Sequence, residues 1–189
     1  LQNLSPIGIG SGKDEHSDRD VVTTEYAVDS NGSILPPEKF SDFYKKKELP
    51  YIPATSFMGR ISRLFDIENH AEIKNYWGES EQNASFIDCS DILLTELPKN
   101  GKQVTEIRDG IRIDSAKGTV AKGAKFDYEL LAPRAKFNLT MIFRIENEMA
   151  NYDLALKIAS DIARVIENGT DLGAKATVGF GRLKGNVQL

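Results

Sequence analysis

Two stretches of this chain carry residue types that could do chemistry. The first is the C-terminal run Asp171-Leu-Gly-Ala-Lys-Ala-Thr-Val-Gly-Phe-Gly-Arg-Leu-Lys184, where Gly173, Gly179 and Gly181 alternate with Lys175, Arg182 and Lys184. Glycine lets a backbone approach a ligand closely, and neighbouring cations supply charge, so such a loop suits an anion held against main-chain N–H groups. The second is Asp14-Glu-His-Ser-Asp-Arg-Asp20, with four acids and one histidine in seven residues. Magnesium often takes only one or two protein carboxylates beside a substrate phosphate, so one or two of these acids are candidate magnesium ligands. An EF-hand reading aligns Asp14, Asp18, Asp20 and Glu25 with loop positions one, five, seven and twelve. It fails because His16 occupies position three and Arg19 sits where the sharp turn needs glycine. The plain alternatives are a turn for the first stretch and a solvated loop for the second.

Other chemistries find less support. Cys89 lies in an apolar stretch and suits a small core residue better than a thiolate nucleophile. His16 is embedded among acids, and His70 stands at a polar helix end. Tyr76 and Trp77 are expected to pack the domain, and Lys45 to Lys47 to form a solvated face. No serine elbow, P-loop or dinucleotide fingerprint occurs.

The elements that must position these residues follow from periodicity. Leu1 to Ile9 alternates and stops at Gly10-Ser11-Gly12, which predicts a first strand, with Leu4–Ile9 in the central sheet. Val21 to Val28 reads as a strand closed by the turn Asp29-Ser30-Asn31-Gly32. Residues 36–49 read as an insertion, with Phe40, Phe43 and Tyr44 on a short helix. Thr55 and Ser56 are candidate N-caps for a helix over Ser56–Phe65, whose Met58, Ile61, Leu64 and Phe65 form its apolar stripe. Arg60 and Arg63 then lie off that stripe. Ala84 to Leu94 is a strand candidate, Pro98 to Gly101 a turn, and Lys102 to Gly123 a polar region with short β-like pieces near Ile111 and Ile113. Phe137, Leu139, Met141, Phe143 and Ile145 share one face at period two, and Phe126 to Leu131 is expected to pair with this strand as a hairpin. A helix over Asn151–Asn168 buries Leu154, Ile158, Ile162, Val165 and Ile166 and stops at Gly169. A last strand lies within Val178–Val187. The order predicts one α+β domain over residues 1–189, with helices on one face of an antiparallel sheet.

Composition sets the limits. At 189 residues with 40% hydrophobic and 28% charged residues, the chain is long enough to bury a real core. The net charge of −4 provides no global basic field, so nucleic-acid binding would need a local patch. A single cysteine excludes an intrachain disulfide and a cysteine-rich zinc site, and fits a reducing, cytoplasmic setting. No apolar run approaches membrane-spanning length, so no membrane partner is expected. The sequence starts at Leu1 and not at Met, as a piece of a longer chain would.

Four segments in order resemble the RAMP superfamily of CRISPR-associated proteins, and most of all the backbone subunits of type III (Csm and Cmr) effector complexes. They are Ile9-Gly-Ser-Gly12, Pro50-Tyr-Ile-Pro-Ala-Thr-Ser-Phe-Met-Gly59, Ile107-Arg-Asp-Gly-Ile-Arg-Ile-Asp114 with Ala124-Lys-Phe-Asp-Tyr-Glu129, and Leu172-Gly-Ala-Lys-Ala-Thr-Val-Gly-Phe-Gly-Arg182. The resemblance implies a ferredoxin-like (RRM-like) fold with insertions. It implies guide RNA (crRNA) gripped by Ser56, Gly59, Arg60, Arg63, Gly173, Lys175, Gly179, Gly181 and Arg182, beside other CRISPR effector subunits. It also implies cleavage of paired target RNA with Mg2+ or another divalent cation, through Asp18 or Asp20 as catalytic and metal-holding aspartate. Asp18 stands three residues before Val21-Val22, the spacing associated with the family, and Asp20 abuts the strand; the choice stays open. The family often has Gly-Ser-Ser-Leu-Lys-Gly where this chain has Ala54-Thr-Ser-Phe-Met-Gly59, so its usual lysine is Met58. Three other readings stand beside cleavage: RNA binding without cutting, a guide-processing RNase relying on histidine, and an interaction domain of the same fold without nucleic acid.

Overall fold

The computed structural model describes residues 1–10, 21–36, 45–67, 87–98, 104–114, 116–144, 149–173 and 179–189. The strands are β1 (Gln2–Asn3), β2 (Thr23–Val28), β3 (Lys45–Pro50), β4 (Ile87–Cys89), β5 (Leu93–Glu96), β6 (Thr105–Asp114), β7 (Thr119–Leu131), β8 (Lys136–Asn138), β9 (Met141–Phe143), β10 (Thr170–Asp171) and β11 (Arg182–Lys184). Helix α1 spans Ala54–Ile67 and helix α2 spans Met149–Asn168. Neither is long and apolar enough to cross a membrane.

A five-stranded sheet runs β10-β11-β1-β8-β5, with every neighbouring pair antiparallel. Setting aside the three two-stranded sheets (β2-β3, β4-β9 and β6-β7) and the short β10, the chain passes β1, α1, β5, β8, α2 and β11. That is the β-α-β-β-α-β order of a ferredoxin-like unit, with the first and third of its strands side by side. The expected α+β class is therefore the observed one.

Register explains which face is covered. Gln2 opposes both Lys184 and Lys136, and Glu96 opposes Lys136, so these polar side chains share one face. One step along, Asn3 and Thr170 oppose Leu183, and Leu94 opposes Phe137. Leu94, Phe137 and Leu183 are buried in one cluster with Phe57 and Ile61 of α1 and Ile158, Ile162 and Ile166 of α2. The period of two sends alternate residues to opposite faces, so both helices cover one face and the other stays polar. Burying each isoleucine is worth roughly 1.5–3 kcal/mol. Helix α2 ends where predicted. Gly169, with φ of 95°, donates its N–H to the Val165 and Ile166 carbonyls.

Several expectations need correction. The first strand is only Gln2–Asn3, because Pro6 has no N–H to continue a ladder. Beyond it, Ile7 makes an isolated bridge to Leu131, and Gly10 one to Val21. Phe126–Leu131 does not pair with the strand after it. It belongs to β7, which pairs along its length with β6, from Thr105↔Leu131 to Asp114↔Thr119. Ile107, Ile113 and Val120 on this long hairpin are exposed, so no buried face left a periodic signal to read. The Phe137 strand divides into β8, paired with β1 and β5, and β9, paired with β4. Its alternation holds all the same: Phe137 is buried, Leu139, Met141 and Phe143 pack partly buried against the core, and Ile142 is exposed. Ala84 to Leu94 likewise yields two strands, β4 and β5, with Ile92 between them bridged to Ile52. In the expected insertion, Lys45–Pro50 is strand β3 against β2, with Lys46 paired to Glu25 at 2.8 Å. Phe40, Phe43, Tyr44 and most of the Pro98–Gly101 turn lie outside the described residues.

Candidate nucleic-acid interface

The glycine loop leaves β10 at Leu172, which is buried and donates its N–H to the Gly181 carbonyl at 2.8 Å. Gly181 donates to the Pro6 carbonyl at 2.7 Å, which ties the loop to the segment after β1. Gly173 and Gly181 have φ of 85° and 83°, in the left-handed region. A Cβ on Gly173 would stand 2.4 Å from the Gly8 carbonyl oxygen, and one on Gly181 would stand 1.9 Å from that of Leu172. These two glycines are demanded by the protein's own backbone. Gly179 differs: its φ is 88°, but nothing lies within 4 Å of where a Cβ would point. Its main chain is open to a ligand. Arg182 projects an exposed side chain while its N–H donates to Ser5 Oγ at 2.9 Å. Lys175 lies outside the described residues.

Phe180, between the two glycines, is half-buried beneath the guanidinium of Arg108 on β6, 5.3 Å from the ring centre. Glu106 holds that guanidinium through Nε at 2.7 Å. The β6–β7 hairpin is thereby joined to the glycine loop. Arg108 lies inside a segment that carried the family resemblance, yet only the folded chain shows that its partner is Phe180.

Helix α1 presents the second basic surface. Ser56, Gly59, Arg60 and Arg63 stand at i, i+3, i+4 and i+7, which places them on one helical face. Phe57 and Ile61, both fully buried, fix a neighbouring face to the core. Gly59 and Arg63 are exposed, and nothing lies within 4 Å of a Cβ on Gly59. Arg60 is half-buried, and its buried Nε has no hydrogen-bond partner. No carboxylate among the described residues forms an ion pair with Arg60, Arg63 or Arg182. Arginines placed in this way are how an acidic chain can present local basic surfaces.

The expected caps Thr55 and Ser56 do not start this helix. Ala54 is its first residue, the Pro53 carbonyl accepts the first helical bonds, and the Asp91 carboxylate accepts the Ala54 N–H at 2.8 Å. This anionic acceptor, 37 positions away in sequence, also complements the helix dipole. Nothing local in the sequence marks Asp91 for that role.

The acidic segment, with His16, Asp18 and Asp20, lies outside the described residues, as does His70. Its two roots are described. Gly10 bridges Val21, and Val22 donates its N–H to the Ile9 carbonyl at 3.1 Å. Those roots adjoin the glycine loop, since the Gly173 backbone packs on Gly8 and Ile9. Two stretches far apart in sequence therefore stand on one foundation, Pro6 to Gly10. Among the described residues, no group of three or more His, Cys, Asp or Glu could hold a metal ion.

Two other features do not suit such chemistry. Burial, and secondarily the nearby Asp91 charge, push the Cys89 thiol up to about 11, so at neutral pH it is protonated and a poor nucleophile. A groove of about 630 Å³ beside α2, lined by Met141, Phe143, Leu156 and Val187 among others, has no charged side chain among its described lining residues. It does not suit a phosphate backbone.

The RAMP superfamily model matches residues 1–184. No curated relative matches the chain. Among solved structures, the chain is similar to one in the cryo-EM structure of the type III-B Cmr-beta bound to cognate target RNA, with a TM-score of 0.67 and 14% identity over 97% of this chain and 93% of that one. A chain of the type III-B Cmr-beta in its apo state gives a TM-score of 0.62 at 15% identity, with the same coverage. At such identities the likeness speaks for the fold, and the family model speaks for descent. With the model covering residues 1–184, the chain belongs to the RAMP superfamily.

Proposed function

We propose that this protein is a guide-RNA-binding backbone subunit of a type III CRISPR effector, working in the cytoplasm beside other effector subunits and cutting the target RNA paired to its guide. The observation that carries the reading is the fold likeness over 97% of the chain to a chain of the type III-B Cmr-beta bound to target RNA. The open main chain at Gly179, the Arg182 side chain and the Ser56–Gly59–Arg60–Arg63 face support an RNA grip made through phosphate and shape. Lys175 adds charge to the same loop.

Cleavage is assigned to the acidic segment, with Asp18 or Asp20 in the catalytic role. Carboxylate oxygens are hard donors of the kind Mg2+ takes, so the donor chemistry fits a divalent cation. When bound, such a cation supplies positive charge to the phosphoryl oxygens and the leaving group. The reaction is an internal transesterification. The target's 2′-oxygen loses its proton and bonds to phosphorus, the bond from phosphorus to the 5′-oxygen breaks, and that oxygen takes up a proton. A 2′,3′-cyclic phosphate and a 5′-hydroxyl result. Holding the 2′-hydroxyl in line with the leaving oxygen accounts for much of the acceleration.

Two measurements test the reading. Arg60→Ala combined with Arg182→Ala should weaken guide binding and flatten its salt dependence, by about 0.7 in log–log slope for each phosphate no longer neutralised. Unchanged affinity and slope would remove this surface from the grip. Complexes carrying Asp18→Ala with Asp20→Ala should bind target normally and cut it far more slowly, and EDTA should stop the wild type. Full cutting by the double variant would take the acidic segment out of the mechanism, and a wild type that binds but never cuts would leave a structural RNA-binding subunit.

A further inference from the structure

Val21, the residue directly after Asp20, donates its N–H to Glu129 Oε2 at 3.2 Å, across 108 residues of chain. Glu129 sits on β7 opposite Ile107 and closes the Ala124-Lys-Phe-Asp-Tyr-Glu129 motif. Its neighbourhood explains why a side-chain acceptor is needed there. Val22 already donates to Ile9, and successive N–H groups in an extended chain point to opposite sides, so the Val21 N–H faces away from that arm. Val21 is buried and water is a poor substitute partner. Two residues further along β7, Leu131 exchanges both main-chain hydrogen bonds with Ile7, at 2.8 and 3.1 Å. One strand thus holds both roots of the acidic segment: Leu131 grips the arm entering it, and Glu129 grips the arm leaving it.

We infer that Glu129 is a positioning residue for target cleavage, an inference that rests on the cleavage reading above. Its hydrogen bond fixes the Val21 amide, and Asp20 is the residue directly before that amide in the sequence. The root of the acidic segment is thereby set against the β6–β7 hairpin, which Arg108 in turn joins to the glycine loop. The role is that of an acceptor and not of a charge, so glutamine, which keeps a side-chain oxygen, should serve in place of glutamate.

The test compares Glu129→Ala and Glu129→Gln with wild type in two readouts. In the free protein, exchange of the Val21 amide with deuterium should quicken about ten- to a hundredfold in Glu129→Ala and stay near wild type in Glu129→Gln. In guide-loaded complexes, Glu129→Ala should lower the single-turnover cutting rate about ten- to a hundredfold with target affinity unchanged, and Glu129→Gln should restore it. Cutting by Glu129→Ala at the wild-type rate overturns the inference. So does a Glu129→Gln variant that keeps the amide protected yet cuts as slowly as Glu129→Ala, because the charge would then be what matters. If the alanine variant does not fold, Glu129→Gln decides alone by the same criteria. If the wild type itself never cuts, the cleavage reading fails separately, and the positioning role falls with it while the amide exchange still reports on the hydrogen bond.

Discussion

The glycine loop and helix α1, the two surfaces of the proposed RNA grip, are built in opposite ways. In the loop, Gly173 and Gly181 are irreplaceable because carbonyl oxygens of Gly8 and Leu172 occupy the space a side chain would need. Around α1 the positioning is done by separable side-chain ties. Asp91 caps its first turn, and the Tyr26 hydroxyl donates to Pro50 at 3.1 Å while accepting the Leu94 N–H at 2.9 Å. A side chain on Gly59 of that helix would touch nothing. Glycine is thus an architectural requirement at Gly173 and Gly181, whereas at Gly179 and Gly59 the space a side chain would take is empty. The residue type is the same and the physical cause is different.

The largest test of this contrast is Gly181→Ala. A Cβ 1.9 Å from a carbonyl oxygen at positive φ has no relaxed solution, so the variant should lose about 3 kcal/mol or more, a fall of roughly 10 °C in Tm by thermal denaturation. Gly173→Ala should behave similarly, whereas Gly179→Ala should cost only the backbone strain, about 1 kcal/mol. Equal losses at all three would erase the distinction.

Tyr26→Phe comes next. It strands a buried acceptor at Pro50 and a buried donor at Leu94, at a cost of about 1–3 kcal/mol by urea titration. The same residue gives a pH signature. Burial pushes its hydroxyl up to about 12 from an ordinary 10, so the folded state holds this proton more tightly than the unfolded state. That contribution to stability is complete below pH 10 and is lost as pH rises toward 12. Tyr26→Phe should remove this component of the alkaline decline, which a stability profile across that window would register.

A smaller effect is expected from Asp91→Ala, about 1 kcal/mol, read as fraying of the first turn of α1 by amide exchange. The smallest is Gly59→Ala, which should stabilise the protein by up to about 1 kcal/mol, since an exposed helical glycine gains from a side chain that meets nothing. If the RNA approaches the main chain there, the same change should weaken guide binding even as the fold strengthens. Opposite signs in the two measurements would mark Gly59 as a ligand-facing glycine.

Much of the fold is legible in the chain itself. Ile158, Ile162 and Ile166 repeat at helical spacing and lie at the core, and Gly169 ends their helix. The alternation from Phe137 to Phe143 survives even though its strand is split between two partners. The turn at Asp29 to Gly32 closes as predicted, with the Asp29 carboxylate accepting the Asn31 and Ser33 N–H groups. The β6–β7 hairpin is not legible, because a hairpin with exposed apolar residues leaves no one-sided pattern. Nor is the role of Phe57: the apolar stripe of α1 reads from Met58, and the fully buried residue is its neighbour.

Local composition determined both helices, the turn after β2 and the alternating strands of the core, because side-chain period and glycine conformation act over a few residues. It also determined which loops carry glycine beside cations or clustered acids. Tertiary structure alone decided the partners: Asp91 for Ala54, Arg108 for Phe180, Gly8 for Gly173 and Glu129 for Val21. Each of these pairs joins residues at least 37 apart. No short-range preference encodes such a pairing, because it exists only when burial of the common core has brought the two segments together.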